Sequence, residues 1–343
     1  MDLAGSIGCA ATSAAWWPGL RIWLRRSHRV LEKNSLWWPL RRSGGVSVTD
    51  CIGVVLHFRA SELTEACIRS LAQEGLGDAI VVDNSEDGGA SLADLRARLV
   101  DSSMRLTFVE PGRNLGYAAG INAALASLGA SLGSAHVLLI NSDATLAPGT
   151  LRRLADSVAD DEAVVAAPLI DGPTGLVPAR TYYRHFSAMI NPVGPGMHGH
   201  ALLGGACLLI SRRLLRLPLF DETFFFYGDD IEFGHRVVRQ GGVLRDVPEG
   251  VVRHQGSAAS GNGSLFYEYH MTRAHLLLVQ RLDQGRACRW AMYAGRAVLL
   301  PLRACVRMMR FRSLTAWRAL LMATADVASG RVRSLTPPSG PRA

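Results

Sequence analysis

Short unbroken apolar runs alternate with amphipathic stretches along most of the chain. Ile52-Gly53-Val54-Val55-Leu56-His57-Phe58 reads as a buried strand. A helix is expected over 62–72, where Leu63, Ala66, Cys67 and Leu71 share a face. Residues 79–83 are a second strand that ends in an acid, 92–100 a helix, 105–109 a third strand and 117–128 an Ala-rich helix. In Val137-Leu138-Leu139-Ile140-Asn141-Ser142-Asp143 a fourth apolar run stops abruptly at polar residues. Beyond it a helix over 150–159 and a strand over 163–168 are expected. An irregular segment rich in Gly, Pro and aromatics (171–200) would lie over the site. A strand over 201–211 is opened by Gly204-Gly205, and a long helical stretch begins past Tyr267.

Short apolar strands alternating with helices predict an α/β protein with a mostly parallel sheet and right-handed crossovers. In such sheets ligands sit at the carboxyl ends of strands, where His57, Asp83, Asn141 and Asp143 fall. Three regions follow: an N-terminal extension over 1–48, a main α/β domain over 49–265 and a basic helical region over 266–343. The first holds Trp16-Trp17, Trp37-Trp38 and several arginines without a clear period. It reads as a membrane-touching arm or as an upstream extension of the true start.

Composition narrows the partners. Hydrophobic residues make up 48% and charged residues 19%, which excludes a disordered chain. The net charge of +8 is concentrated near the two ends, pointing to an anionic surface. The middle lacks the aromatic-basic interleaving of single-strand binders, so a membrane is expected and nucleic acid is not. Six cysteines (Cys9, Cys51, Cys67, Cys207, Cys288, Cys305) have no paired spacing, which fits a reducing cytosol. No apolar stretch reaches the roughly 18–20 residues of a spanning helix without meeting an arginine. The nearest, 290–306, is broken by Arg296, Pro301 and Arg303. It reads as an amphipathic segment lying on the inner face of the cell membrane, or as an arginine-rich helix packed on the main domain.

Three constellations carry chemistry. Asn141 and Asp143, two apart on an extended chain, would face the same way and address one ligand, Asp143 as an anionic ligand for Mg²⁺ or Mn²⁺. An Asp after a strand also caps ordinary turns. Asp229-Asp230-Ile231-Glu232 opens a helix, where acids suit the dipole; one of them could instead act as a general base. Phe224-Phe225-Phe226-Tyr227 would set that carboxylate against an apolar wall and raise its pKa. His254 stands at a strand end with Gly256-Ser257 behind it. The glycines of Arg113-Asn114-Leu115-Gly116-Tyr117-Ala118-Ala119-Gly120-Ile121-Asn122 fit neither dinucleotide nor P-loop spacing. They read as letting a helix lie close to the sheet.

The ordered series Asp83-Asn84-Ser85, Arg113-Asn114-Leu115-Gly116 with Gly120 and Asn122, Asn141-Ser142-Asp143, Gly204-Gly205-Ala206, Phe220-Asp221-Glu222 through Asp229-Asp230-Ile231-Glu232, then His254 resembles the family 2 glycosyltransferases. Within them it is similar to the rhamnosyltransferase-like and galactofuranosyltransferase-like branch, over roughly residues 51–280. The resemblance implies a GT-A fold, a nucleotide-diphosphate-sugar donor, a divalent metal and inversion at the anomeric carbon. It makes Asp143 a metal ligand, His254 a second ligand or diphosphate contact, and Asp230 the base. His57, Arg59, Asp83, Asn84, Asn114, Asn122 and Asn141 form the implied donor side, with Asp83 on the nucleoside base. Gly204, Gly205, Asp229 and Glu232 lie on the implied acceptor side. The acceptor would be a glycan, a lipid-linked glycan or a small natural product. Two departures stand out: Asn-Ser-Asp replaces the usual Asp-x-Asp, and His57-Phe58-Arg59 replaces a polar-aromatic-Asn sequence.

Rival readings differ in recognisable ways. A nucleotidyltransferase would carry a basic, glycine-rich loop after the first strand, and His57-Phe58-Arg59-Ala60-Ser61 is not one. A non-catalytic sugar-nucleotide-binding protein would be expected to lack Asp143 or Asp230. A zinc hydrolase would gather several His or Cys ligands.

Overall fold

A computed structural model describes residues 46–159, 161–191, 194, 199–255, 261–282, 284–333 and 335. The aromatic-basic segment before Val46, and Gly256-Ser257, lie outside the described residues. In chain order come β1 (Cys51–His57), α1 (Ser61–Gln73), β2 (Asp78–Asp83), α2 (Ala90–Arg98), β3 (Arg105–Val109), α3 (Gly116–Ser127) and β4 (His136–Asn141). Then follow β5 (Ala144–Leu146), α4 (Thr150–Asp156), β6 (Val164–Gly172), β7 (Gly175–Val177), β8 (Arg180–Arg184), β9 (Ile190–Asn191), β10 (Gly199–Leu203) and β11 (Cys207–Ile210). The chain closes with α5 (Asp229–Arg239), β12 (Val243–His254), α6 (Leu265–Arg281), α7 (Arg286–Phe311) and α8 (Thr315–Ser329).

The main sheet runs β3-β2-β1-β4-β11-β6-β12-β5, with β7 hairpinned onto β6. The pairs β1–β2, β1–β4, β2–β3 and β6–β12 are parallel; β11 and β5 run antiparallel to their neighbours. Its central strands are apolar on both faces because helices cover both. Alternate residues divide between two cores. Val55, Leu138 and Ile140 pack with Ile68, Leu71, Leu95 and Leu154 from α1, α2 and α4. Val54, Val82 and Leu139 pack with Ile121, Leu125, Phe233 and Val237 from α3 and α5. Gly120 matters here: a Cβ on it would lie 3.0 Å from Leu56 Cδ2.

Two expectations about local structure are corrected. The described residues of the stretch 171–200 are not simply irregular: they include β7 to β9 and the start of β10, and β8–β10 form a second, three-stranded antiparallel sheet. The single strand expected over 201–211 is two strands in different sheets, β10 and β11, with Gly204-Gly205 at the crossing. One apolar pattern spans both because both strands are buried; the crossing is fixed from outside, by the Gly204 amide donating to the Ala179 carbonyl at 2.9 Å.

Buried polar contacts fasten α7 to β8 and to α6. Arg296 donates to the Tyr183 hydroxyl at 2.8 Å and the Phe186 carbonyl at 2.7 Å. Buried Glu268 on α6 receives Arg303 at 2.8 Å and is also paired with Arg307. Among the described residues no helix is long and apolar enough to cross a membrane.

Candidate active site

Strand pairing, not spacing along one strand, builds the first half of the site. β4 stops at Asn141, and Ser142-Asp143 form a turn into β5. β5 then pairs antiparallel with the end of β12, placing Ala144 opposite His254. His254 Nε2 therefore sits 3.2 Å from Asp143 Oδ1 and 3.4 Å from Asn141 Nδ2. Asn141 and Asp143 do address one point, but through the turn, correcting the expectation that both lie on extended chain. The Asp143 carbonyl accepts from the Gln255 amide at 3.3 Å, and the Asn141 amide donates to the Ala206 carbonyl at 3.0 Å. A cavity of about 360 Å³ opens beside them, lined by Asp143, Thr145, Asp171, Arg253, His254 and Gln255 among others.

The donor chemistry of this pair can be tested against a divalent ion. Two neighbouring ligands on a Mg²⁺ or Mn²⁺ centre lie about 3 Å apart, close to the Asp143–His254 separation of 3.2 Å. Among the described residues there is no cluster of three or more His, Cys, Asp or Glu able to hold a metal. The set fits a hard cation completed by phosphate and water oxygens, and does not fit a closed zinc site.

The second half is the start of α5. Gly228 caps it at φ +89°, a left-handed conformation in which a Cβ would also lie 2.9 Å from the Phe224 ring. Of the three acids that follow, Glu232 is committed: Arg236 donates to its two oxygens at 2.9 and 3.2 Å. Asp230 accepts from the Ile231 amide at 2.8 Å. Burial raises the pKa of both Asp229 and Asp230, and the charges of Asp230 and Glu232 raise Asp229 further. Tyr117 belongs to the same neighbourhood, and its phenol pKa is raised by burial and by those two aspartates. Its hydroxyl is 3.7 Å from the place a Cβ on Gly205 would occupy. Tyr117 has no role legible in the sequence, because a lone tyrosine at a helix start carries no signal of its own.

The implied donor residues divide into two groups. Near the ends of β1 and β2, the Arg59 amide donates to Ser85 Oγ at 2.9 Å, its Nε to the Ser85 carbonyl at 2.8 Å, and the Ser85 amide to Asp83 Oδ1 at 3.0 Å. Asn84 bonds the Gly116 carbonyl at 3.0 Å and the Leu115 amide at 3.3 Å, and Asn114 Oδ1 accepts from the Gly116 amide at 2.8 Å. These residues form one connected loop cluster. His57 and Asn122 are turned inward. His57 is fully buried, with Nδ1 2.9 Å from Thr64 Oγ1 and Nε2 3.1 Å from Ser91 Oγ. Burial lowers its pKa, and both ring nitrogens are already engaged. Asn122 donates to the Phe220 carbonyl and to Glu222 Oε1, both at 2.9 Å. Its oxygen accepts from the Leu219 and Phe220 amides at 2.9 and 3.1 Å, which fills its hydrogen-bonding capacity.

A family profile described as "Glycosyltransferase like family 2" matches residues 54–275. The chain belongs to this family. It is an enzyme of the glycosyltransferase type, similar to rhamnosyltransferases of that family. An N-acetylglucosaminyl-diphospho-decaprenol L-rhamnosyltransferase of Mycobacterium tuberculosis is 26% identical over 287 residues, 71% of this chain and 90% of the relative. The low-salt glycan biosynthesis hexosyltransferase Agl10 of Haloferax volcanii is 25% identical over 181 residues, 48% of this chain and 55% of the relative. A crystal structure of GalNAc-T7 with UDP, GalNAc and Mn²⁺ matches with a TM-score of 0.54 at 14% identity, covering 84% of this chain and 58% of that one. The glycosyltransferase fold is GT-A: a mainly parallel central sheet flanked by helices.

Proposed function

We propose that this glycosyltransferase moves a sugar, with rhamnose or another deoxysugar first among the candidates, from a nucleotide-diphosphate donor to an acceptor hydroxyl with inversion. The observation that carries the reading is the start of α5. There Glu232 is held by Arg236, which leaves the half-buried Asp230, its pKa raised towards neutrality, to take a proton. As the acceptor oxygen bonds the anomeric carbon, the carboxylate of Asp230 receives the hydroxyl proton. The bond from that carbon to the donor diphosphate breaks, and the diphosphate leaves with the electron pair. Asp143 and His254 would hold Mg²⁺ or Mn²⁺, which when bound offsets the charge developing on the diphosphate. Arg59, Asp83, Asn84 and Asn114 would shape the nucleoside end of the donor site, and Gly204-Gly205 beneath Tyr117 would leave room for the acceptor. The name of the mycobacterial relative supports rhamnose as the sugar and a polyprenyl-diphosphate-linked glycan as the acceptor.

The test is a thermal-shift screen of UDP-, dTDP- and GDP-sugars, each with and without Mn²⁺ or Mg²⁺. Stabilisation by one nucleotide class, dependent on metal and lost in Asp143→Ala, is expected. Absence of stabilisation by all three, from protein shown to be folded, overturns the donor reading.

A further inference from the structure

The stretch 284–325 holds eight arginines and no acidic residue, and the structure sorts those arginines into two groups. Arg296, Arg303 and Arg307 turn inward to Tyr183 and Glu268 and fasten α7 to the body. Arg286, Arg289, Arg310, Arg312 and Arg318 are exposed, and none has an acidic partner among the described residues.

The apolar residues of α7 are sorted the same way. Met292, Leu300 and Ala304 share one row with the inward Arg296, every fourth position, and are buried. Val298, Leu302 and Val306 recur with the same step, offset by two residues, which places them about 200° round the helix. That outer row is exposed: Val298 65%, Leu302 56% and Val306 52%, extended by Trp290 at 72% and Met309 at 67%. Just past the helix end, Leu314 leads into a groove of about 580 Å³ lined by Leu314, Trp317, Leu321 and Met322, with Arg318 beside them. Solvated helices of soluble proteins keep charge on the face opposite the core. Here that face is apolar and aromatic, flanked by Arg310 and continued past the helix end by Arg312 and Arg318, and nothing among the described residues covers it.

We propose that the outer face of α7, with the groove at its end, docks in the plane of an anionic phospholipid bilayer. Apolar and aromatic side chains entering the headgroup boundary beside arginines that have no acidic partner are the physical requirements for interfacial binding. The charge pattern chooses this occupant over a second copy of the chain: two such faces would bring like charges together without an acidic counterpart.

The test is sedimentation of the full chain with sucrose-loaded vesicles of phosphatidylcholine alone or mixed with phosphatidylglycerol, at low and high salt. Binding to the anionic vesicles at least about tenfold tighter than to the neutral ones, weakened by salt, is expected. L302E/V306E abolishes it, and R310E/R312E/R318E weakens it by about 10²-fold. All five positions are solvent-facing, so thermal midpoints stay at the wild-type value. Absence of vesicle binding, equal binding to neutral vesicles, or full binding by both variants overturns the proposal. So does concentration-dependent self-association that L302E/V306E removes in protein that ignores vesicles. Sedimentation requires no transfer assay, so its failure and a failure of the donor reading are distinguishable.

Discussion

The amide of Tyr117 donates a 3.0 Å hydrogen bond to the carbonyl oxygen of Phe225. This bond ties the loop that Asn84 and Asn114 shape to the segment that leads into Asp229 and Asp230. The contact requires the residue before it to be glycine. Gly116 sits at φ +76°, and a Cβ there would lie 2.3 Å from the same oxygen. Gly116→Ala is therefore expected to destabilise by more than about 1 kcal/mol, since both backbone conformation and space oppose it. It should lower turnover more than a control of equal destabilisation placed elsewhere. Denaturant melts alongside transfer rates check this.

Asp230→Asn keeps the shape of the side chain and removes its capacity to take a proton. Transfer should fall by about 10²–10⁴-fold, the usual worth of a general base. The thermal shift produced by donor nucleotide should persist. Near-normal turnover in this variant would remove the base assignment.

Loss of either half of the Asp143–His254 pair should act on binding. Asp143→Ala and His254→Ala are each expected to weaken metal-dependent nucleotide binding by at least about tenfold, by analogy with the cost of disturbing metal-site contacts. Nucleotide binding measured without metal should change much less. Calorimetric titration with and without Mn²⁺ separates the two.

Burial and the neighbouring charges of Asp230 and Glu232 hold the pKa of Asp229 above the ordinary carboxylate value of about 3.9. The folded state therefore binds a proton more tightly than the unfolded state does. Between the unfolded value and the raised folded value, stability falls as pH rises. Asp229→Asn removes that loss, so its thermal midpoint should exceed that of the wild type by more at pH 9 than at pH 5. An equal or reversed difference would show that Asp229 is not held protonated by its surroundings.

Asn122 makes four hydrogen bonds to the 219–222 segment. Asn122→Ala leaves buried backbone groups unpaired and should cost about 1–3 kcal/mol or more. Donor affinity in the fraction that remains folded should be close to that of the wild type. A large affinity loss without destabilisation would return Asn122 to the donor side, where the family resemblance places it.

Much of this architecture is legible in residue order. The runs around Val54, Val81 and Leu139 give the parallel strands, because a strand buried on both faces must be apolar throughout. Asp83, Asn141 and the acids at 229–232 announce themselves because each breaks an apolar pattern. The path of 171–211 is not legible, since one apolar pattern serves both β10 and β11, and the change of sheet is set by contacts with distant chain. Nor is the inward turn of His57: a polar residue ending a strand looks the same whether it meets a ligand or, as here, Thr64 and Ser91.

The sequence alone determined the strand-helix alternation, the acids at the strand and helix ends, and the arginine-rich, acid-free stretch near the C-terminus. These are local properties, carried by periodicity, charge and composition. Tertiary structure alone decided which of those groups meet. Antiparallel pairing of β5 with β12 delivers His254 to Asp143, and the Phe225 carbonyl joins the loop around Asn84 and Asn114 to the acidic helix. Packing on Tyr183 and Glu268 separates structural from exposed arginines. Each depends on partners far apart along the chain, and their separation in space is set only when the sheet and its covering helices close on a common core.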